Sequence, residues 1–347
     1  MIHKKMKTCL IALLSVSILL MFSQADAATV LRMNHQFPAK AAGSKIDQWF
    51  ADEIKRMTDG DLQIQIFWNN ALGNPKDNLL MLKTGRLDMA AMSAGYFSSQ
   101  LPFFSAPNSM PMAMDNICQS SAIMKAFMEE IPAFSEEASG NGVRPFFFHL
   151  LNPYLLVSKK PVVSFEDLKG MRIRTWGDDL PKLVSAAGAR PVPLFLPDLK
   201  EAMARGVVDG CPFSVDLTLT YGIHELAKHI TDVVIWEGPA WGVWISEKTW
   251  EALSAEHQKV IMEASEKTRQ KELNETISAG KEARAQLKAN GVEFHAFPAG
   301  ELEKWRSASP DFFDLWIHKM EKTGKEDAAR QTVKLWKEMR ARLQECP

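Results

Sequence analysis

The stretch LKGMRIRTWGDDLPKLVSAAGARPVPLFLPDLKEAMARGVVDG, Leu168 to Gly210, decides the fold. It reads as strand, helix, strand, helix, strand within about forty residues. Asp178 or Asp179 is placed to cap a helix on which Leu180, Leu183, Val184 and Ala187 share a face, and Gly188 ends it. The prolines of Arg190–Phe195 suit an edge strand, and Leu199, Ala202 and Met203 face inward on the next helix. Arg174 falls where the first strand gives way to a loop. In α/β sheets ligands collect at the carboxyl ends of strands, and a guanidinium there presents a planar fork of donors suited to a carboxylate. Arg174 and Arg172 alternate onto one strand face, so pairing with a surface carboxylate is the competing reading for either.

The same alternation recurs upstream. Thr29–Met33 reads as a strand, Asn34–Lys40 as a loop, and Ile46, Trp49, Phe50, Ile54 and Met57 as one face of a helix. Leu62–Phe67 alternates like a half-buried strand, and Leu87–Met92 is another. LKTGRLDM, Leu82 to Met89, echoes MARGVVDG, Met203 to Gly210: each places a helix end, a stop glycine and an aspartate in the same short connection. Two similar lobes are expected, each a mainly parallel sheet flanked by helices. Ser254 to about Asn290 predicts one or two long helices, ~55 Å at full length, bracing both lobes. Trp305, Phe312, Leu315, Trp316 and Trp336 in the following segment read as packing residues.

Residues 1–27 read as a secretory signal peptide: His3, Lys4, Lys5 and Lys7, an apolar run through Phe22, then Ala25-Asp26-Ala27 before a cut at Ala28. The run is short for a membrane anchor and is broken by Ser15 and Ser17. The expected location is the periplasm. The remaining chain exceeds one ordinary core. The formal net charge of −1 over all 347 residues offers no field for nucleic acid or anionic lipid. Cys118, Cys211 and Cys346 are too few and too scattered for a disulfide framework or zinc site. One bridge is possible; three free thiols are the preferred reading.

No catalytic constellation emerges. His224 and His229 are five apart, ~140° out of phase on a helix, whereas a zinc-protease helix needs four. There is no G-x-S-x-G elbow, dinucleotide fingerprint or P-loop. Cys211 follows a strand, but no base stands near it in sequence, so a small buried residue is preferred. No cofactor, metal or catalytic residue is expected.

Taken together, LKGMRIR (168–174), AAGARPVPLF (186–195) and EAMARGVVDG (201–210) resemble the signature region of substrate-binding proteins of tripartite ATP-independent periplasmic (TRAP) transporters. LRMNHQFP (31–38), MTDGDLQIQIF (57–67), NNALGN (69–74), LLMLKTGRLDMA (79–90) and ISEKTWEALSAEHQKVIMEA (245–264) extend the resemblance over the whole remaining chain. It implies a two-lobed receptor that closes on an organic acid and delivers it to an ion-gradient-driven permease. Arg174 takes the place of the family's carboxylate-gripping arginine. A second arginine usual before the K-P-[IV] step is missing, the region reading Asn152-Pro153-Tyr154 before Lys160-Pro161-Val162. Cys211-Pro212-Phe213-Ser214 stands where the family often has Gln-Glu-Asn-Pro, so Phe213 replaces a carboxylate-holding asparagine. With Trp176 and Trp241 this implies a monocarboxylate with an aromatic or branched body; the alternative is that the tryptophans are core.

The expected ligand residues are Arg174, Trp176, Phe213 and Tyr154 on one lobe, and Asn34, His35, Ser93, Tyr96 and Trp241 on the other; a structural role for His35 is equally open. The first lobe is expected to hold residues 28–151 and about 240–280, the second 152–239 and about 281–347. Rival functions are a receptor for an ATP-driven importer or sensor kinase, and an exported enzyme acting on small carboxylates.

Overall fold

A computed structural model describes residues 28–39, 41–194, 196–344 and 346; the expected signal peptide lies outside them. In chain order the elements are β1 (Thr29–His35), α1 (Ala42–Met57), β2 (Leu62–Phe67), α2 (Asn78–Thr84), β3 (Met89–Met92), α3 (Pro102–Ser109), α4 (Ile117–Glu130), α5 (Pro132–Gly140) and β4 (Val143–Leu150). Next come β5 (Tyr154–Ser158), β6 (Arg172–Thr175), α6 (Leu180–Ala186), β7 (Arg190–Pro193), α7 (Leu199–Ala204), β8 (Gly210–Phe213), α8 (Val215–Thr220) and β9 (His229–Trp236). The chain continues through β10 (Pro239–Ser246), α9 (Glu247–Ala252), α10 (Ala255–Ala289), β11 (Glu293–Ala296), α11 (Ala299–Ala308), α12 (Phe312–Glu321) and α13 (Glu326–Arg342).

Two sheets result, ordered β2-β1-β3-β10-β4 and β11-β9-β5-β8-β6-β7. The α/β, two-lobed architecture agrees with the sequence reading, and β7 lies at an edge as its prolines require. The pairing is mixed, not mainly parallel: β10 runs antiparallel to β3 and β4, and β5 antiparallel to β8 and β9. Those strands flank the two short crossings between the sheets, through residues 151–153 and 237–238; a third passes from β10 to β11 through α9 and α10. Strand β1 is also longer than expected. Asn34 and His35 are not in a loop but pair with Phe67 of β2 and Ala91 of β3, because β1 lies inside the sheet and is held on both sides.

The echo between the lobes has a structural basis. Asp88 Oδ2 accepts the backbone N–H of Arg32 at 2.9 Å and its Nε at 3.4 Å. Asp209 Oδ2 accepts the backbone N–H and Nε of Arg172, both at 2.9 Å. Gly85 and Gly206, at φ 73° and 72°, end the preceding helices in the left-handed region that glycine tolerates best. In both lobes the aspartate thus ties a helix-to-strand connection to a neighbouring strand. By this correspondence Arg174 occupies in the second lobe the place of Asn34 in the first.

Helix α10 is a single 35-residue helix, capped by the Ser254 hydroxyl accepting from His257 N–H at 3.1 Å. Its internal Gly280 lies against the first crossing, where an added Cβ would stand 2.6 Å from Asn152 Oδ1. Asn152 in turn donates to Thr276 O at 2.9 Å and to Asp216 Oδ1 at 3.1 Å. The glycine therefore lets the brace touch the chain where it passes between sheets.

The last helices span the back of the molecule. Trp305 of α11 donates to Leu183 O at 2.9 Å beside α6, while Trp336 of α13 donates to Ala113 O at 3.1 Å and packs edge-on to Phe127 of α4. Residues 281–347 were expected in the second lobe, yet α13 rests on the part of the chain assigned to the first, with Arg340 forked onto Asp115 at 2.7 Å. This docking brings together cysteines read from sequence as free: Cys118 and Cys346 form a disulfide across 228 residues, with Cα atoms 5.4 Å apart. Sequence distance hid the pair because only the folded path of α13 makes them neighbours. Cys211 is a buried free thiol.

Candidate functional site

Arg174 is the last residue but one of β6, with Ile173 facing Gly210 of β8 and Arg174 facing Val192 of β7. It is only 6% exposed. Its Nε donates to Leu194 O at 3.3 Å, and its guanidinium carbon lies 4.8 Å from the Trp176 ring. No carboxylate among the described residues pairs with it. Arg172, on the same strand, is instead neutralised by Asp209 at 2.6 Å, so the alternation that left the two arginines equivalent in sequence separates them here. Burial pulls the Arg174 pKa down, opposed by Tyr154 and Cys211. A buried cation without a counter-ion is costly, and an arriving anion relieves that cost.

The Trp176 ring beside the guanidinium belongs to an aromatic cluster. Tyr154 stands edge-on to Trp176 at 5.7 Å, to Phe213 at 5.6 Å and to Trp236 at 5.1 Å; Trp176 and Trp236 are 6.2 Å apart. Burial also drives the Tyr154 hydroxyl upward and pushes the Cys211 thiol up to about 12, which keeps both protonated. Cys211 is therefore no nucleophile at neutral pH. Beside this group Thr175 Oγ1, Ser214 Oγ and Trp236 Nε1 are buried with no intramolecular hydrogen-bond partner. Trp236, Thr175 and Ser214 were missed in the sequence, although each lies at or just after a strand end, the same signal that singled out Arg174. Nearby, burial holds the Glu237 carboxyl far above its usual range, with Ser120 Oγ donating to it at 2.5 Å.

The first-lobe candidates divide. Asn34 is saturated: its Oδ1 accepts Leu72 N–H at 3.2 Å, and its Nδ2 donates to Gly73 O at 3.1 Å and Asn78 Oδ1 at 2.8 Å. His35 Nε2 meets Asp47 at 2.7 Å while Nδ1 accepts Phe37 N–H at 3.1 Å. Ser93 accepts Gly95 N–H at 3.3 Å, and Tyr96 is 54% exposed. No hydrogen bond, ion pair or ring contact among the described residues joins Ser93 or Tyr96 to the Arg174 group. Trp241 stacks on His149 with centroids 4.4 Å apart and leaves its Nε1 without a partner.

Beneath Trp241 lies a buried ionic cluster that sequence reading did not find. His149 Nε2 meets Asp47 at 2.8 Å and its Nδ1 meets Glu272 at 2.6 Å, joining α1, β4 and α10. Burial alone would lower the His149 pKa, but Asp47 and Glu272 overcome it and push it up to about 10. Asp47 is held low by His149 and His35 against burial, whereas burial raises Glu272. The signal was unreadable because its four members come from residues 35, 47, 149 and 272.

A separate cavity of about 600 Å³ opens on the first lobe among α4, α5, β4 and α10. Phe104, Phe134 and Phe146 line it, and its rim cations Arg144 and Arg269 are already paired with Glu247 and Glu266. It offers no unpaired charge comparable to Arg174.

Three comparisons bear on this geometry. The family model for bacterial extracellular solute-binding proteins of family 7 (DctP) matches residues 33–318. A solute-binding protein of Roseobacter denitrificans is 26% identical over 253 residues, covering 71% of this chain and 74% of its own. A TRAP periplasmic solute binding protein from Desulfovibrio salexigens, with the C-terminus of a symmetry mate in its ligand binding site, matches with TM-score 0.82 at 19% identity over 92% of this chain and 97% of its own. An extracytoplasmic solute receptor of Bordetella pertussis binding pyroglutamic acid matches with TM-score 0.75 at 20% identity, over 89% of this chain and 100% of its own.

Proposed function

Because the chain belongs to family 7 (DctP) of the bacterial extracellular solute-binding proteins, we propose that it is the receptor of a TRAP transporter that binds a small monocarboxylate with an apolar, aromatic or branched body. It closes on the acid between its lobes and passes it to an ion-gradient-driven membrane permease. The observation that carries this reading is Arg174, a buried guanidinium with no protein counter-ion, set against Trp176, whose ring belongs to a cluster with Tyr154, Phe213 and Trp236. One fork of donors matches one carboxylate, and the rings favour an apolar remainder. Thr175, Ser214 and Trp236 add unpaired polar atoms for a ligand's other groups. Trp241 likewise leaves its Nε1 unpaired, the donor that a first-lobe ligand contact would use.

Two solved structures similar to this chain hold a polypeptide C-terminus and pyroglutamic acid in turn, both carboxylate-bearing groups. Thermal-shift screening against organic acids identifies ligands, since one at one hundred times its dissociation constant adds ~2.7 kcal/mol. Calorimetry with matched pairs then tests the class: a monocarboxylate binds more tightly than its dicarboxylate counterpart. The reverse order sinks the monocarboxylate reading, and recovery of a chemically altered ligand sinks the receptor reading in favour of an enzyme.

A further inference from the structure

We propose that His229, Glu293 and His295 form a binding site for one late first-row divalent cation, zinc being the representative. The site arises from strand geometry. Glu293 and His295 are two apart on β11 and so project from one face, and His229 of β9 is the register partner of Glu293. Three ligating side chains from two strands therefore converge on one face of the sheet edge. This is a different partnership from the His224–His229 spacing in the sequence, which a helix would have splayed apart.

The distances suit a coordination shell. His229 Nδ1 lies 3.0 Å from His295 Nε2, and Glu293 Oε2 lies 3.7 Å and 3.8 Å from these two nitrogens. Two imidazoles bound at ~2.0–2.1 Å to a tetrahedral ion stand roughly 3.3 Å apart, so small side-chain motions complete the shell. The Glu293 side chain is 67% exposed and free to make them, while both histidine side chains are 17% exposed and held by packing. In this set of groups the two ring nitrogens share a single proton at best, and a cation satisfies both lone pairs and the carboxylate together. Two imidazoles and one carboxylate suit zinc, copper or nickel over calcium or magnesium, which prefer all-oxygen shells. Among the described residues no other group of three such ligands is assembled this closely.

The site is independent of the carboxylate cleft. His229 opens β9 and Trp236 closes it, so seven residue steps at ~3.3 Å each lie between the cation and the aromatic box. Its structural effect is local. Strand β11 is an edge strand paired only with β9, and a bound ion would clip the two together.

The test is calorimetric titration of zinc chloride into tag-free, chelator-stripped protein. The expected result is one equivalent bound, with affinity at least ~10-fold weaker in His229→Ala and in His295→Ala, the scale at which disturbing even an outer-shell partner is felt. Glu293→Gln weakens it too, and His224→Ala leaves it unchanged. Melting curves without metal check that each variant is folded. Should a histidine variant fail that check, Glu293→Gln carries the test with cobalt(II) absorption: wild type gives the intense visible bands of a four-coordinate ion, and the variant loses them. Absence of saturable zinc binding by wild type, unchanged affinity in the folded variants, or a purely aqua-ion cobalt spectrum would overturn the proposal.

Discussion

Arg174 and Arg172 stand two residues apart with opposite roles, and their substitution separates ligand recognition from strand maintenance. Truncating one member of a buried, hydrogen-bonded charge pair costs ~2–5 kcal/mol, so Arg174→Ala weakens acid binding at least ~30-fold. Arg174→Lys keeps the charge without the fork and falls between. Arg172→Ala, which removes an ion pair that is partly exposed, leaves affinity near wild type. Calorimetry on all three decides it, and wild-type affinity in Arg174→Ala defeats the assignment. The position of Arg174 near a strand end was legible as a local pattern, whereas the pairing of Arg172 needed Asp209, 37 residues away. His149 was not legible at all, and it predicts a pH dependence. Its pKa in the fold is raised to about 10, so its stabilisation is complete below the unfolded value of 6.5 and is lost as pH rises through about 10. Urea midpoints should fall over that interval, and fall less in His149→Gln; identical pH slopes would count against a charged His149.

Among the elements, α6, α7 and their strands were placed by the period and the stop glycines each carries; the expected aspartate cap did not form, Asp179 at the start of α6 accepting instead from Lys182 at 2.8 Å. Strand β1 overran its expected end because β2 continued the ladder to Asn34 and β3 to His35, information a single strand does not contain. The path of α13 was equally hidden. Its apolar face is plain in sequence, but the surface it covers, α4, lies some two hundred residues upstream. The Cys118–Cys346 bridge and the Arg340–Asp115 fork secure that docking. Cys346→Ser should therefore lower stability by ~2–4 kcal/mol, the usual worth of a native disulfide. Chemical denaturation of the two forms measures it, and equal midpoints would show that packing alone holds α13.

At the scale of the molecule, an acid seated on Arg174 and touched from the first lobe draws the two sheets together about the crossings at 151–153 and 237–238. Small-angle scattering should record a smaller radius of gyration with saturating ligand; confirmed binding at constant radius contradicts lobe closure. The two-lobe plan was readable from the repeated glycine–aspartate connection, but not the tie across its back. That tie has a consequence in time. Every strand of the second sheet lies between Cys118 and Cys346, so the bond joining them encircles that whole lobe. At ~5–20 residues per second, synthesis of the intervening chain takes roughly 10–45 s. Oxidation of this pair therefore follows the making of Cys118 by at least that interval, and until Cys346 arrives Cys118 is a thiol open to a wrong partner such as Cys211. The bridge can close only once the last helix has been made, so any shape the earlier chain takes before then it must hold without that bond.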